Sequence, residues 1–295
     1  MLQSSLSWRR TPGSSGIRRL KSGESTRGGS AAKGECHFIP KRIVTNPKHL
    51  RDAWAGQYQR LARQFAGLLR SKTGNLVEIG CGRGQLTIPL SKLVSDSFFI
   101  VDNFCGPYSK DYRLLKSALV RERLKSRIQV IVSDYADWLS RQSSDQYGAL
   151  ISNEFLPEIN TADMRRFLSE CYRVLKPAGV TVHGFLSPNP ENLRQQLVIE
   201  SDTDSRWTDF PSEEWFSPPP SLVKNQLRQI GFRKIRTFEI KSGLIIKADA
   251  ARTFLRRWGV KDGFWKVYKE RLTQEGLEIP DWIIVSGVKP TTNTI

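Results

Sequence analysis

The sequence has few cysteines and no long apolar segment. Its 295 residues include only four cysteines. They are too far apart to form a CxxC zinc pair or a dense disulfide framework, which fits a reducing compartment. They are Cys36, Cys81, Cys105 and Cys171. Nowhere does the chain contain the run of about 18 apolar residues that a transmembrane helix requires, so no membrane-spanning helix is predicted.

Acidic residues are also scarce relative to bases. Lys and Arg total 46 against 29 Asp and Glu, which gives a formal net charge of +17. Such a charge attracts polyanions, including RNA, phosphorylated partners and anionic membrane surfaces. The hydrophobic content of 39% is nevertheless that of an ordinary globular protein with a sizeable core. Charge therefore indicates possible partners without identifying one.

The first 40 residues read as a disordered basic tail. Residues 1–34 lack hydrophobic periodicity and carry seven bases against one acid, so they cannot bury enough apolar surface to order themselves. This Arg-rich and Ser-rich composition is also that of an organelle transit peptide. We expect a cytoplasmic protein, with an organellar matrix as the alternative, and a folded part that begins near Lys41.

A helix is predicted from Asn46, where an N-cap residue is followed by Pro47 in the first turn. Apolar and aromatic residues then recur at steps of three and four, which places them on one helical face. We interpret this stripe as core packing. Its members are Leu50, Trp54, Tyr58, Leu61, Phe65 and Leu68.

From Gly74 onwards, short apolar runs alternate with amphipathic segments. Strands are predicted at 76–79, 98–101, 128–132, 149–151 and 180–185, with helices at 86–94, 108–124, 136–139 and 164–175. This alternation predicts an α/β fold with a doubly wound parallel sheet that is buried on both faces. Ligands of such sheets bind beyond the carboxyl ends of the strands, so the residues that end each strand are the candidates for function.

The first strand ends in a glycine-rich turn that contains Gly80, Gly82 and Gly84. Glycines there allow a tight turn and a close backbone approach to a ligand. The dinucleotide fingerprint GxGxxG would require glycine at position 85, where this chain has Gln85. A nicotinamide-dependent oxidoreductase is therefore disfavoured, although it stays an alternative.

The run Val-Glu-Ile-Gly-Cys-Gly-Arg-Gly over residues 77–84 resembles the first motif of the class I S-adenosylmethionine-dependent methyltransferases. The resemblance extends from about Asn46 to Pro188 and includes the Lys-Pro-Ala-Gly turn at 176–179. It implies a seven-stranded, mainly parallel sheet and S-adenosylmethionine as cofactor. The three glycines of the turn would then shape the cofactor loop, and Glu78 would help to hold the cofactor's amino group.

Polar residues at three further strand ends support the same cofactor. Asp102 ends the second strand, where a carboxylate can accept both ribose hydroxyls. The resemblance implies that Asp134 receives the adenine amino group, that Tyr135 lies near the ring, and that Asn153 lies at the edge facing the transferable methyl group. The alternative role of Asp102 and Asp134 is to cap the following helix.

Three residues are candidates for catalysis by their position: Asn153, Glu154 and His183. Methyl transfer requires an in-line approach of the acceptor and, for some acceptors, a base that takes the leaving proton. For His183, which lies inside the fifth predicted strand, a buried imidazole with a structural role is the competing interpretation. No metal-binding set of residues is predicted.

We divide the folded part into a cofactor-binding core at 41–190 and a segment at 191–295 that completes the same domain. An irregular segment or lid is predicted at 187–220, a helix at 222–230, and strands at 234–240 and 244–246. A helical hairpin around 253–268 would be an insertion that covers the substrate, and 282–288 would enter the sheet as an antiparallel last strand.

The methyl acceptor stays open at this point. Bases interleaved with aromatic residues between Arg228 and Lys261 could bind RNA, but a solvated helix face is the simpler interpretation. We favour a small-molecule acceptor, because the inserted segments would all cover one pocket. An RNA methyltransferase, or a non-catalytic module that binds cofactor or RNA on the same fold, is the alternative.

Overall fold

The computed structural model describes residues 41–70, 74–94, 97–105, 109–209 and 215–291. The predicted basic tail, residues 1–40, lies outside the described residues. The described residues all belong to one compact unit. In the described part of the chain, no helix has the length and apolar character needed to cross a membrane.

Seven strands form one sheet. They are β2 Leu76–Ile79, β3 Phe98–Asp102, β4 Ile128–Val132, β5 Tyr147–Asn153, β6 Leu175–Leu186, β7 Arg233–Ile240 and β10 Trp282–Val288. Their order in the sheet is β4-β3-β2-β5-β6-β10-β7. Only β10 is antiparallel to its neighbours, β6 and β7, which confirms the predicted mainly parallel sheet and its antiparallel last strand.

Helices cover both faces of this sheet, as the alternation predicts. Side chains of β5 alternate between the two faces, so that Ala149 and Ile151 belong to one apolar cluster and Leu150 to the other. One face belongs to an apolar cluster that also contains side chains of α1 Pro47–Leu69, α3 Asp111–Arg121, α6 Leu193–Thr203, α8 Ala248–Arg257 and α9 Asp262–Gln274. The other packs against α4 Tyr135–Ser140, α5 Thr161–Val174 and α7 Pro220–Ile230.

Helix α1 begins where the sequence predicts. The Asn46 side chain caps it by accepting the backbone N–H of Lys48 at 2.9 Å. Most of its apolar stripe is buried, including Leu61 and Phe65. The helix packs against α2 Thr87–Ser91 and against α8. Helix α1 therefore connects the helix after the glycine-rich turn with the C-terminal helical hairpin.

Two expectations about local structure are wrong. The helix predicted over 86–94 is only the five-residue α2. Part of the irregular segment predicted at 187–220 is helix α6, which Asn192 caps by accepting the Gln195 N–H at 3.1 Å. Burial of Leu197 and Val198 stabilises α6, and the polar, Pro-rich flanks concealed this signal in the sequence. Residues 210–214 lie outside the described part.

The strand predicted at 244–246 forms, but it belongs to a separate three-stranded sheet. Strand β8 Leu244–Ile246 lies between β1 Arg42–Val44 and β9 Leu277–Glu278. Lys241, between the two sheets in sequence, contacts the carboxylates of Asp281 and Glu239 at 2.8 Å and also that of Glu191. These three acids are spaced like metal ligands, but the Lys241 ammonium already supplies their counter-charge.

Candidate active site at the carboxyl edge of the sheet

The turn after β2 has a backbone that only glycine adopts readily. Gly80, Gly82 and Gly84 have φ values of +74°, +49° and +82°. A Cβ atom at Gly80 would come within 2.8 Å of Phe155 Cδ2, and one at Gly84 within 2.7 Å of Leu115 Cδ1. Among the described residues, only an Asp111 oxygen, at 3.5 Å, would lie within 4 Å of a Cβ at Gly82. The middle glycine therefore keeps its backbone open to a ligand.

Asp102 ties this glycine loop to the end of β3. Its Oδ2 accepts the Gly82 N–H and its Oδ1 accepts the Phe104 N–H, both at 2.8 Å. The next helix, α3, begins only at Asp111, so Asp102 caps no helix in the described structure. Each carboxylate oxygen can accept more than one hydrogen bond. Asp102 can therefore position the loop and still accept donors from a ligand.

Glu78 is a buried carboxylate beneath the glycine loop. Its Oε2 accepts a hydrogen bond from Thr87 Oγ1 at 2.7 Å. Burial raises the pKa of Glu78 to about 8. The Thr87 hydrogen bond offsets this rise only in part, and the negative charge of Asp102 raises the pKa further. No base of the described structure forms an ion pair with Glu78. This carboxylate therefore lacks a positive counter-charge.

At the end of β4, Asp134 caps α4. Its Oδ1 accepts the backbone N–H groups of Ala136 at 2.8 Å and Asp137 at 3.3 Å. The capping alternative is thus correct for this oxygen, while Oδ2 accepts no hydrogen bond from the described residues. The half-buried ring of Tyr135 packs edge-on against Phe155, with 5.0 Å between ring centroids. Tyr135 therefore lies at the same edge as the glycine loop, whose Gly80 contacts Phe155.

Asn153 and Glu154 follow at the end of β5. The Asn153 side chain is buried, and its Oδ1 has no hydrogen-bond partner among the described residues. Glu154 has a left-handed backbone with φ +56°, and its Oε1 accepts the Leu186 N–H at 2.8 Å. Burial raises the pKa of Glu154 to about 8, and the carboxylates of Glu158 and Asp202 act in the same direction.

The structure does not bring His183 into this group. Its imidazole is fully buried. Nδ1 lies 2.8 Å from Ser152 Oγ and Nε2 lies 2.7 Å from Thr181 Oγ1, so both ring nitrogens already have partners. Burial lowers the pKa of His183 to about 3. An inaccessible, neutral ring cannot take a proton from a substrate, and we do not assign His183 the role of a base.

Three side chains at this edge were not selected from the sequence. Asp111, at the start of α3, forms an ion pair with Arg83 of the glycine loop at 3.6 Å, and burial raises the pKa of Asp111. Tyr58 of α1 has its ring centroid 5.6 Å from that of Trp282. No pattern in the sequence pointed to Asp111 or Arg83. For Tyr58 the only signal was a hydroxyl group within an apolar stripe.

The residues at this edge fit S-adenosylmethionine. Its ammonium and sulfonium groups are cations, and a cation bound beside the buried carboxyls of Glu78 and Glu154 would favour their ionised forms and lower their raised pKa values. The ribose hydroxyls are donors, which Asp102 can accept. The glycine loop offers the close approach that the methionyl chain requires, and the orphaned Asn153 Oδ1 is a buried acceptor that a bound group can satisfy.

Comparison with known proteins shows which proteins this chain resembles. Residues 76–179 match the methyltransferase domain family. A ubiquinone biosynthesis O-methyltransferase of Ruegeria pomeroyi is 23% identical over 186 residues, which are 61% of this chain and 67% of that protein. A SAM-dependent methyltransferase of Archaeoglobus fulgidus has a similar structure, with a TM-score of 0.52 and 17% identity, over 80% of this chain and 94% of that one.

A third similar structure contains the cofactor. It is the phosphoethanolamine N-methyltransferase 2 of Haemonchus contortus in complex with S-adenosyl-L-methionine, with a TM-score of 0.53, 16% identity, and coverage of 86% of this chain and 62% of that one. Fold and matched domain together define a class I methyltransferase of the Rossmann-like type. The protein is an S-adenosylmethionine-dependent methyltransferase, and S-adenosylmethionine is its cofactor.

Proposed function

We propose that the protein methylates a hydroxyl group of a small molecule and that Glu154 takes the proton of that hydroxyl. The observation that carries this proposal is the placement of Glu154. Its carboxylate is held by the Leu186 N–H at 2.8 Å, on a residue whose left-handed backbone is unusual for a non-glycine. Strained backbone of this kind is often retained where it positions a functional group.

The cofactor side of the site follows from the strand ends. In our proposal Gly80, Gly82 and Gly84 cradle the methionyl chain, and Glu78 binds its ammonium group. Asp102 accepts the ribose hydroxyls. The remaining contacts of the cofactor would come from Asp134 and Tyr135 at the adenine and from Asn153 near the sulfonium.

The acidity of Glu154 suits a base that works near neutral pH. Its pKa of about 8 makes it a stronger proton acceptor than an ordinary carboxylate. When bound, S-adenosylmethionine supplies an electrophilic methyl carbon. Glu154 would receive the acceptor's proton as the oxygen–carbon bond forms and the carbon–sulfur bond breaks. The electron pair of the broken bond would stay with sulfur, and Glu154 would hold the proton of the acceptor.

Two observations support a small acceptor rather than RNA. The curated relative described above has a name that specifies an O-methyltransferase of a biosynthetic pathway. In addition, several bases of the C-terminal region already have acidic partners within the fold: Arg256 lies 3.0 Å from Asp262, and Lys261 lies 2.8 Å from Asp209. Charges that are neutralised in this way contribute less to binding of phosphates.

Labelled methyl transfer to fractionated cell extract tests the proposal. The wild-type protein should label the small-molecule fraction, and Glu154→Gln should reduce the rate by about 10²–10⁴-fold, the usual contribution of a general base. Glu270→Gln is the matched control and should leave the rate nearly unchanged, because Glu270 is exposed on α9 and, among the described residues, accepts a hydrogen bond only from Gln274 Nε2, at 3.3 Å. Methyl transfer to RNA that becomes much slower at high salt would favour the RNA alternative. Cofactor binding without methyl transfer to any fraction would favour a non-catalytic module.

A further inference from the structure

Four buried side-chain polar atoms have no hydrogen-bond partner in the part of the chain that the structure describes. They are Asn153 Oδ1, Ser217 Oγ, Gln226 Oε1 and Trp282 Nε1. A buried polar group without a partner costs free energy, and one explanation is a ligand that supplies the partner. Asn153 already belongs to the candidate site, but Ser217 and Trp282 lie outside the cofactor contacts proposed above.

Trp282 lies at the carboxyl edge of the main sheet. It is the first residue of the antiparallel strand β10 and is only 1% exposed. It pairs with Leu186, the last residue of β6, and with Ile240, the last residue of β7. The Leu186 N–H holds the Glu154 carboxylate at 2.8 Å. Trp282 is therefore the cross-strand neighbour of the residue that anchors the proposed base.

The strand order separates Trp282 from the proposed cofactor contacts. Those contacts follow β2, β3, β4 and β5, which are neighbours in the sheet, and β10 lies on the other side of β6 from all four. Asn153, at the end of β5, pairs with Gly184 of β6. Trp282 is thus two strands from Asn153, or about 10 Å across the sheet. One small group cannot reach both side chains, so the cofactor placement leaves Trp282 to the methyl acceptor.

Ser217 belongs to the same half of this edge. Strand β7 is parallel to β6, because both are antiparallel to β10. Two residues connect α7 to β7, so α7 runs antiparallel to β7 and begins at the carboxyl edge. Ser217, 1% exposed, lies just before α7. Its neighbours Trp215 and Phe216 pack in apolar clusters on opposite faces of the sheet, as a segment does where it crosses the edge.

The chemistry of the two side chains suits a neutral oxygen. An indole N–H can only donate, a hydroxyl can donate or accept, and neither group is charged. Asp281, the residue before Trp282, shares the Lys241 ammonium with two other carboxylates. This surplus of negative charge would repel a carboxylate on the acceptor. It would not repel a carbonyl, ether or hydroxyl oxygen.

We infer that Trp282 and Ser217 form a subsite that binds a second, neutral oxygen of the acceptor, while Glu154 faces the hydroxyl that is methylated. The inference rests on the proposed function and narrows it to small molecules with at least one oxygen besides the methylated one. Both residues lie outside residues 76–179, the part that matches the methyltransferase domain.

The kinetics of methyl transfer to the small-molecule fraction of cell extract test the inference. Trp282→Phe keeps an aromatic ring but removes the N–H. It should raise the amount of fraction that gives half the maximal rate about three- to tenfold, the effect of losing one hydrogen bond, without changing the calorimetric affinity for S-adenosylmethionine. Trp138→Phe is the matched control and should change neither quantity. Trp138 is also buried, but its ring packs against Tyr147, the first residue of β5, at the opposite edge.

Two further readouts do not depend on the folding of Trp282→Phe. Ser217→Ala should raise the same half-saturating amount about three- to tenfold. It should not lower the free energy of unfolding of the ligand-free protein, because it removes a buried hydroxyl that has no partner. Mass spectrometry of the product made by the wild-type protein should show at least one oxygen besides that of the new methoxy group.

Three results would each overturn the inference. They are unchanged half-saturation in Trp282→Phe and Ser217→Ala, a matching loss of S-adenosylmethionine affinity in Trp282→Phe, and a product whose only oxygen is the methylated one. Full activity of Glu154→Gln beside raised half-saturation in Trp282→Phe would instead refute the proposed base and keep the subsite. Absence of any labelled small molecule with the wild-type protein would refute the proposed function itself, so the failures are distinguishable.

Discussion

The backbone N–H of Gly82 donates to the Asp102 carboxylate at 2.8 Å. This contact joins the turn after β2 to the end of β3, two adjacent parallel strands that pair from Leu76↔Phe98 onwards. The carboxylate therefore has two tasks in our proposal, since it stabilises the loop and accepts the ribose hydroxyls. Loss of Asp102 should affect both the loop and the ligand.

Asp102→Ala should weaken S-adenosylmethionine binding by about 1–3 kcal/mol, the range for losing hydrogen bonds to a charged group. Calorimetry measures the change. Asp145→Ala is a suitable control, because Asp145 is exposed and pairs with Lys289 at 2.7 Å. An unchanged dissociation constant in a folded Asp102→Ala protein would remove this residue from the cofactor site.

Gly82→Val should abolish cofactor binding. A branched side chain resists a φ of +49°. It would also fill the space through which a ligand would approach the backbone of residue 82. Gly67→Ala is the opposite case, because Gly67 lies in α1 with nothing near a new Cβ. That change should raise the free energy of unfolding by about 0.5–1 kcal/mol without altering affinity. Tight binding by Gly82→Val would contradict the proposed cradle.

The stability of the ligand-free protein should depend on Glu78 and Glu154. Burial raises the pKa of each to about 8, so the folded state holds more protons than the unfolded state between about pH 4.5 and 8. The contribution of these groups is therefore present at low pH and is lost as pH rises towards 8. In denaturant unfolding, the free energy of unfolding should fall less steeply between about pH 4.5 and 8 in Glu154→Gln than in the wild-type protein. An identical pH dependence in both proteins would show that Glu154 is not buried as described.

His183→Leu should destabilise the fold without affecting the cofactor. The change leaves Ser152 and Thr181 without their ring partners, which costs about 1–3 kcal/mol for each buried polar group. The pKa of His183 is lowered to about 3, so its contribution to stability is present above about pH 6.5 and is lost as pH falls through 3. Urea unfolding measures the free energy of unfolding, and calorimetry measures the affinity for the cofactor. A weaker cofactor complex with an unchanged free energy of unfolding would contradict this prediction.

Deletion of residues 1–34 should change neither the melting temperature nor the cofactor affinity, because a segment without apolar periodicity adds little to a core. Thermal unfolding of the shortened chain measures this directly. A large loss of stability would mean that the segment binds to the folded part.

Local patterns in the sequence were sufficient to predict the main architecture. Alternating apolar and amphipathic segments indicated the parallel sheet, and Asn46 with Pro47 marked the start of α1. The turn at residues 80–84 and the polar residues at the ends of the next three strands identified one edge of the sheet. These features are determined locally, since strand period, helix capping and positive φ each depend on residues that are close in sequence.

Other features depend on contacts between distant residues, and only the tertiary structure decided them. Strand β8 pairs with β1, about 200 residues earlier in the chain, and no local pattern specifies such pairing. Helix α6 is stabilised by burial that its polar flanks conceal. His183 and Glu154 look equally polar in sequence, but the fold encloses one between Ser152 and Thr181 and leaves the other at the sheet edge. Tyr58 looks like a core residue because its period is helical, and the tertiary structure adds that its ring packs edge-on against Trp282. The sequence determines the chemical groups of each side chain. The burial and the partners of a side chain set its protonation state and its role, and they are determined only when distant segments pack together.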